Sequence, residues 1–253
     1  MKLLIDIGNT RVKWAYEEDG HLLLPGSCIH RGGKAFVPGF LAALDKAPAS
    51  AAALNVAGPA IEQVLRDALR ERFGIDLQMV RTSARCGEVI NGYSAVGQLG
   101  ADRWAAIVGA WQLWRAPVCV IDAGTAVTID LVAGNGQHLG GVIVPGLAMM
   151  RASLLRDTSD IDAFVSQSAA TPGMAGWLGT DTRSAVERGV QFMLCAAIDR
   201  AITNRMQDGT IPRAILTGGD APLVAPLLGY AVEQHPLLVL EGLSHLAAEC
   251  GDA

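Results

Sequence analysis

Aromatic side chains are scarce. Phe, Trp and Tyr together make up 5% of the 253 residues, so any core must be packed largely from aliphatic residues and alanine. Charge is sparse as well, at 18% Asp, Glu, Lys and Arg against 51% hydrophobic residues, a balance that gives the chain ample apolar material to bury and marks it as globular rather than disordered. No run of Lys and Arg occurs, and the formal net charge is −5. That speaks against nucleic acid or an anionic membrane surface as a partner and favours a small molecule. The five cysteines, Cys28, Cys86, Cys119, Cys195 and Cys250, include no Cys-x-x-Cys pair, and their scatter and odd number predict reduced thiols, with neither disulfides nor zinc. No uninterrupted apolar stretch of about 18 residues appears, and only three apolar residues separate Met1-Lys2 from Asp6, too few for a signal-peptide core. The expectation is a soluble, cytoplasmic protein.

What the chain does contain is a repeat. Leu3-Leu4-Ile5-Asp6-Ile7-Gly8-Asn9-Thr10 and Cys119-Val120-Ile121-Asp122-Ala123-Gly124-Thr125 are both apolar runs that end in Asp-x-Gly and a hydroxyl residue. Each then restarts as an alternating strand with a turn signal, Asp19-Gly20 in one and Gly134-Asn135-Gly136 in the other. One Asp-x-Gly turn is a common strand end. Two copies opening two halves predict two similar lobes facing each other across a cleft.

The chemistry of the repeated turn suits a nucleoside triphosphate. A glycine after a buried strand lets backbone N–H groups approach phosphate oxygens, because no Cβ stands in the way. Asp6 and Asp122 cannot bind phosphate directly, since like charges repel. They are explained if a hydrated cation lies between carboxylate and phosphate, as magnesium usually does with few carboxylates and several waters.

In the first lobe, strands are expected through Asp6, over Val12 to Tyr16 and over His21 to Leu24. Helical patterns follow near Phe36 to Lys46 and over Pro59 to Phe73, with an apolar run at Ala51 to Ala57 between them. A long amphipathic helix is expected from Leu99 to Arg115, ended by Pro117. The second lobe repeats the hairpin through Ile143 and continues with a helix at Leu147 to Leu155. A loop rich in Ser, Ala, Gly and Pro at Ser166 to Gly179 precedes a long helix at Asp181 to Met206. A strand at Ala214 to Thr217, a Gly218-Gly219 turn, and a short strand and helix close the chain. Strands followed by alternating helix and strand indicate an α/β protein.

Six short pieces occur in a characteristic order: Asp6-Ile-Gly-Asn-Thr10, Gly100-Ala-Asp-Arg103, Asp122-Ala-Gly-Thr125, Gly140-Gly-Val-Ile-Val-Pro-Gly146, Gly179-Thr-Asp-Thr182 and Thr217-Gly-Gly-Asp220. By these motifs, which span almost the whole chain, the sequence resembles the type III pantothenate kinases. The resemblance implies the acetate kinase, hexokinase, Hsp70 and actin superfamily, with duplicated ribonuclease-H-like (actin-type ATPase) lobes and a cleft between them, here residues 1–116 and 117–253. It implies a phosphotransferase with an alcohol acceptor, in which ATP phosphorylates the 4′-hydroxyl of pantothenate in the first step toward coenzyme A. It further implies a homodimer with sites near the subunit contact, and a monovalent cation, K+ or NH4+, beside Mg2+.

Carried residue by residue, the resemblance makes Asp102 the general base, the part needed to take the proton of a weakly nucleophilic alcohol. The alternative role for Asp102 is a carboxylate favouring a helix N-terminus. Asp6, Ile7, Gly8, Asn9, Thr10, Arg11, Val12, Lys13 and Thr125 are the expected ATP-binding residues, with Lys13 reaching phosphate or turned to solvent by strand alternation. Tyr93, Gly100, Ala101, Asp102, Arg103 and Thr182 are the expected substrate-binding residues. For Arg103 the role is a bidentate contact with the pantothenate carboxylate, with a surface salt bridge as the plain alternative. For Tyr93 the alternative is a lid on the core, and for Thr182 a helix N-cap, which Thr180 or Asp181 could equally supply. Asp122 is the expected monovalent-cation ligand, or else a second contact to magnesium-bound water. Gly218 and Gly219 fit an adenosine-side turn without an aromatic clamp, which predicts loose nucleotide affinity. Trp104, Trp111 and Trp114, at helical spacing, are expected in packing or dimer contacts.

Two other functions fit parts of this pattern. A nucleotide hydrolase or phosphatase of the same superfamily would use water in place of the alcohol. An accessory regulator of transcription would act through protein contacts, since no helix-turn-helix with a basic face is visible.

Overall fold

The computed structural model describes residues 1–30, 34–157, 177–204 and 211–249. The chain forms two compact units, one made of Met1–Val118, Asp130–Gly140 and the chain from Leu237, the other of Cys119–Ile129 and Gly141–Pro236.

The first sheet runs in the order β3-β2-β1-β4-β5, from β1 (Lys2–Ile7), β2 (Arg11–Glu18), β3 (His21–Ile29), β4 (Ser50–Asn55) and β5 (Leu77–Met79). Strand β1 is paired on both sides, antiparallel to β2 and parallel to β4, and is buried from Leu3 to Ile7. A strand covered on both faces reads as a continuous apolar run, as this one does. The third strand does not stop at Leu24. It continues to Ile29 through Pro25 and Gly26, which would end an interior strand, because β3 lies at the sheet edge where a missing N–H leaves no ladder bond unmade. Gly26 also makes room for Trp14, whose indole would lie 2.4 Å from a Cβ at that position, and Trp14 meets Phe40 edge to face at 5.1 Å. The expected Phe36 to Lys46 helix is shorter, a 3₁₀ turn at Lys34–Phe36 and α1 (Val37–Ala42). Beyond it Tyr16 donates its hydroxyl proton to the Lys46 carbonyl and holds that stretch in a turn. Helix α2 (Pro59–Phe73) has the expected bounds, with Pro59 in its first turn and Gly74 in the left-handed conformation at its end.

The second sheet repeats the first in its order. It is β10-β9-β8-β11-β12, from β8 (Val118–Ala123), β9 (Ala126–Val132), β10 (His138–Pro145), β11 (Arg213–Thr217) and β12 (Glu233–Gln234). The two aspartates of the sequence repeat occupy the penultimate positions of equivalent strands, Asp6 in β1 and Asp122 in β8. A two-stranded hairpin, β6 (Arg85–Cys86) with β7 (Val89–Ile90), precedes the helix that carries the expected base.

That helix, α3 (Ala101–Trp114), is not amphipathic. Every residue from Arg103 to Trp111 is buried, as expected of a helix that packs on more than one side. Trp104 and Trp111 are part of this packing. Along α3 runs the last helix of the chain. In the second unit, α4 (Leu147–Asp157) and α5 (Thr182–Thr203) pack on each other, and Arg151 pairs with Glu187 at 2.7 Å. A short helix, α6 (Ala221–Val224), follows β11, and α7 (Leu238–Glu249) is the partner of α3. Most of the expected 166–179 loop, the end of the expected helix at Met206, and Cys250 lie outside the described residues. No disulfide links Cys28, Cys86, Cys119 and Cys195. Among the described residues no helix is long and apolar enough to cross a membrane.

The contact between α3 and α7 depends on two glycines. A Cβ on Gly109 would lie 2.7 Å from the Leu238 carbonyl oxygen, and one on Gly242 would lie 1.8 Å from the Ala105 carbonyl oxygen. Both obstacles are backbone, which cannot swing aside. Gly242→Ala is therefore expected to push the helices apart and destabilise the protein by about 1–3 kcal/mol. A urea melt with a lowered midpoint and unchanged slope would show it.

Candidate active site

In the first unit, the β1–β2 turn is closed by the Gly8 N–H donating to the Arg11 carbonyl at 3.0 Å. Asn9 and Thr10 are exposed at its tip. Ile7 and Val12 are fully buried, so these two can meet a ligand only through their backbone. Asp6 is buried at the end of β1 and stands opposite Lys13 in the β1–β2 register. Opposed residues of an antiparallel pair share a face, and Lys13 Nζ lies 4.0 Å from Asp6 Oδ2. Lys13 is thus turned toward Asp6. The turn is braced from β3: the buried His30 places Nε2 2.7 Å from the Gly8 carbonyl oxygen, and its own N–H donates to the Thr10 carbonyl at 3.2 Å. The sequence reading missed His30.

Gly100, Ala101, Asp102 and Arg103 open α3, with the Gly100 carbonyl accepting the first helical bond from Trp104 at 2.9 Å. Burial pushes the Asp102 carboxyl above the usual carboxylate range, against the opposing pull of the Arg103 N–H, which donates to Asp102 Oδ1 at 2.7 Å, and of the Arg103 charge. An Asp raised in this way costs stability when ionised and is a stronger proton acceptor than a surface Asp.

Arg103 is no surface salt bridge. Its side chain is 5% exposed and that of its partner Asp130 is 2% exposed. Nε donates to Asp130 Oδ2 at 2.9 Å and Nη2 to Oδ1 at 2.6 Å, a side-on fork, while Nη1 donates to the Tyr93 hydroxyl oxygen at 2.9 Å. Burial disfavours the guanidinium charge, but the ion pair with Asp130 outweighs it and holds Arg103 charged. A guanidinium carries five donors. Three are used, which leaves one further N–H on each of Nη1 and Nη2. Asp130 also binds His138, whose Nε2 is 2.9 Å from Oδ1, and His138 stacks on Tyr93 with ring centroids 5.9 Å apart and an interplanar angle of 11°.

The structure thus draws Tyr93, Asp102 and Arg103 together and adds Asp130 and His138, which the sequence reading did not find. Asp130 left a signal, an acid inside the apolar alternation of β9, where a buried carboxylate needs a partner. His138 left none.

In the second unit three glycine turns meet at the second copy of the motif. The Gly124 N–H donates to the Ala126 carbonyl at 3.1 Å and the Gly146 N–H to the Thr125 carbonyl at 3.0 Å. A Cβ on Gly146 would lie 2.3 Å from the Gly124 carbonyl oxygen, and one on Gly218, at φ +99°, 2.5 Å from Asp122 Oδ1. These glycines are what allow three turns to crowd around Asp122 and the exposed Thr125. Asp181, not Thr182, caps α5: the Ser184 N–H donates to Asp181 Oδ1 at 2.9 Å. Thr182 is the first residue of the helix, and its hydroxyl is not needed by the cap.

Among the described residues no three His, Cys, Asp or Glu side chains cluster as a metal cage. Single carboxylates at glycine turns remain, the donor set of a cation such as Mg2+ that takes most of its shell from water and phosphate.

Comparison with known proteins places the chain in a family. The family model for type III pantothenate kinase matches residues 2–204. A type III pantothenate kinase of Cupriavidus taiwanensis is 36% identical over 277 aligned positions covering 97% of both chains, and one of Thiobacillus denitrificans is 35% identical, covering 99% of this chain and 98% of its own. In fold, the chain is similar to a ROK family glucokinase from Streptomyces griseus, with a TM-score of 0.53 at 13% identity over 100% of this chain and 99% of that one. The two sheets of equal order are duplicated ribonuclease-H-like lobes of the actin and hexokinase type.

Proposed function

Because the chain belongs to the type III pantothenate kinase family, the kinases that phosphorylate pantothenate in coenzyme A biosynthesis, we propose that Asp102 is the general base of that transfer and that Arg103 and Tyr93 hold the acceptor. The observation that carries this reading is the state of Arg103. Its Nε and Nη2 are held by Asp130 while Nη1 and Nη2 each keep one further N–H, and the preceding residue, Asp102, is a carboxylate made more basic by burial. A carboxylate on the acceptor suits those remaining donors. The Tyr93 hydroxyl accepts from Arg103 and still has its own proton to donate to the same ligand.

In the transfer, the acceptor hydroxyl oxygen bonds to the γ-phosphorus of ATP as the bond from that phosphorus to the β,γ-bridging oxygen breaks. ADP leaves, and the hydroxyl proton passes to Asp102. We assign the backbone of Asn9 and Thr10 and the Lys13 ammonium to the phosphates of ATP, and Thr125 to ATP as well. Asp6 would hold Mg2+ through water, and bound Mg2+ neutralises charge on the phosphates. We assign Asp122, crowded by Gly218, to the monovalent cation, K+ or NH4+, and Gly100, Ala101 and Thr182 to the substrate. A cytoplasmic homodimer is part of the same reading, supported by exposed Phe192 and Met193 on α5.

The acceptor pocket is tested with the alcohol analogue of pantothenate, in which CH2OH replaces the carboxylate. Its kcat/KM is expected to fall at least ~100-fold, because it leaves buried polar groups unpaired. Equal rates for the two acceptors would contradict the role of Arg103. Gly100 offers a second check. Its φ of −55° suits alanine, yet a Cβ there would lie 2.6 Å from Asp102 Oδ1. Gly100→Ala should melt like the wild type while kcat falls about 10- to 100-fold, since the base is displaced and the fold is not.

A further inference from the structure

His138 has no part in the reaction as described, yet it touches the acceptor groups from behind. Its side chain is fully buried. The Gly92 N–H donates to Nδ1 at 3.4 Å, so Nδ1 carries a lone pair, and the ring proton must sit on Nε2, where it donates to Asp130 Oδ1 at 2.9 Å. A proton on Nδ1 would point at the Gly92 N–H. Asp130 then accepts from three donors, two from Arg103 and one from His138. On the other side the imidazole face carries the Tyr93 ring.

The backbone fixes this arrangement in place. The Ile90 N–H donates to the Gly136 carbonyl at 3.0 Å, and Gln137 Nε2 donates to the His138 carbonyl at 2.9 Å. Gly92 lies so close to β10 that a Cβ would be 2.0 Å from the His138 carbonyl oxygen. The loop bearing Tyr93 is therefore laid on the strand bearing His138, and one imidazole sets two things together: the ring plane of Tyr93 and, through Asp130, the rotation of the guanidinium.

We infer that His138 is a positioning residue for acceptor recognition, held as the Nε2–H tautomer between Gly92 and Asp130 so that Tyr93 and the remaining N–H groups of Arg103 meet the pantothenate carboxylate. The inference rests on the acceptor reading given above. No bond of the substrate is made or broken at His138, so its removal should be felt in acceptor binding rather than in the transfer step or at ATP.

Two variants of the full chain separate this role from a packing role. His138→Phe keeps a ring beneath Tyr93 and loses the donor to Asp130, whereas His138→Gln keeps an N–H near the position of Nε2. For His138→Phe the KM for pantothenate should rise about tenfold or more, with kcat and the KM for ATP within about twofold of wild type, and His138→Gln should recover most of the loss. Wild-type KM for pantothenate in both variants overturns the inference, as do parallel losses in kcat, KM for ATP and melting temperature. The wild-type protein gives a check that needs no variant to fold. Nitrogen-15 NMR of the imidazole in contact with Tyr93 should show Nε2 protonated and Nδ1 bare, and the reverse tautomer contradicts the arrangement. Wild-type protein that forms no ADP in response to pantothenate would instead overturn the acceptor reading itself, a result seen before any variant is made.

Discussion

Asp102→Asn is expected to lower pantothenate-dependent ADP formation at least ~100-fold, the low end for a lost general base, while leaving the melting temperature unchanged or raising it. The two halves of this result have one cause. Burial raises the Asp102 carboxyl above its unfolded value, so the contribution of this group to stability is fully present below the unfolded pKa and is lost as pH rises through the folded one. At neutral pH the ionised carboxylate is therefore a cost to folding. Asparagine removes that charge and keeps an oxygen to accept the Arg103 N–H, which now donates to Asp102 Oδ1, so the start of α3 stays intact. A residue whose removal abolishes activity and spares or improves stability is one retained for chemistry. The same shift gives the pH profile a direction. The wild-type acid limb of kcat/KM should lie above the usual carboxylate pKa of about 3.9, as the base protonates. A melting temperature that falls together with the rate would mean that Asp102 acts as a structural helix-start residue.

Asp130→Ala should have the opposite character. Asp130 receives Nε and Nη2 of Arg103 and Nε2 of His138, all in the interior. Deleting it leaves the guanidinium charge buried without its bidentate partner, a loss of about 3–5 kcal/mol. For a chain of this size that corresponds to a fall in melting temperature on the order of 10 °C. Thermal melts of Asp102→Asn and Asp130→Ala run side by side are thus expected to move apart, although the two acids serve one site. If Asp130→Ala melts like the wild type, Asp130 is not the group that holds the Arg103 charge in the interior.

What the sequence made legible was local or repeated. The Asp6 and Asp122 turns are each written in a few adjacent residues, and the duplication that they announce returns as two sheets of the same strand order. Pro59 and Gly74 bracket α2 by conformational preference alone. The errors have physical reasons of the other kind. Pro25-Gly26 reads as a strand end, and only the edge position of β3 lets the strand run on. The helix Ala101–Trp114 carries enough polar residues to look amphipathic, whereas its Arg103 is neutralised inside the protein by an acid on another element. The choice of Asp130 as that acid is made by strand placement across 27 positions of sequence, and the seating of His138 against Gly92 by placement across 46. No local pattern encodes such pairings. Asp181 took the α5 cap from two neighbours equally suited by residue type, because its backbone is extended and Ser184 falls three residues on.

The central claim, that this site activates the pantothenate hydroxyl against ATP, is tested most directly by phosphorus-31 NMR of the purified protein with ATP, Mg2+ and K+, with and without pantothenate. The expected spectrum shows a phosphomonoester resonance growing in step with ADP only when pantothenate is present. Inorganic phosphate growing at the same rate in both samples would contradict the account and identify water as the acceptor.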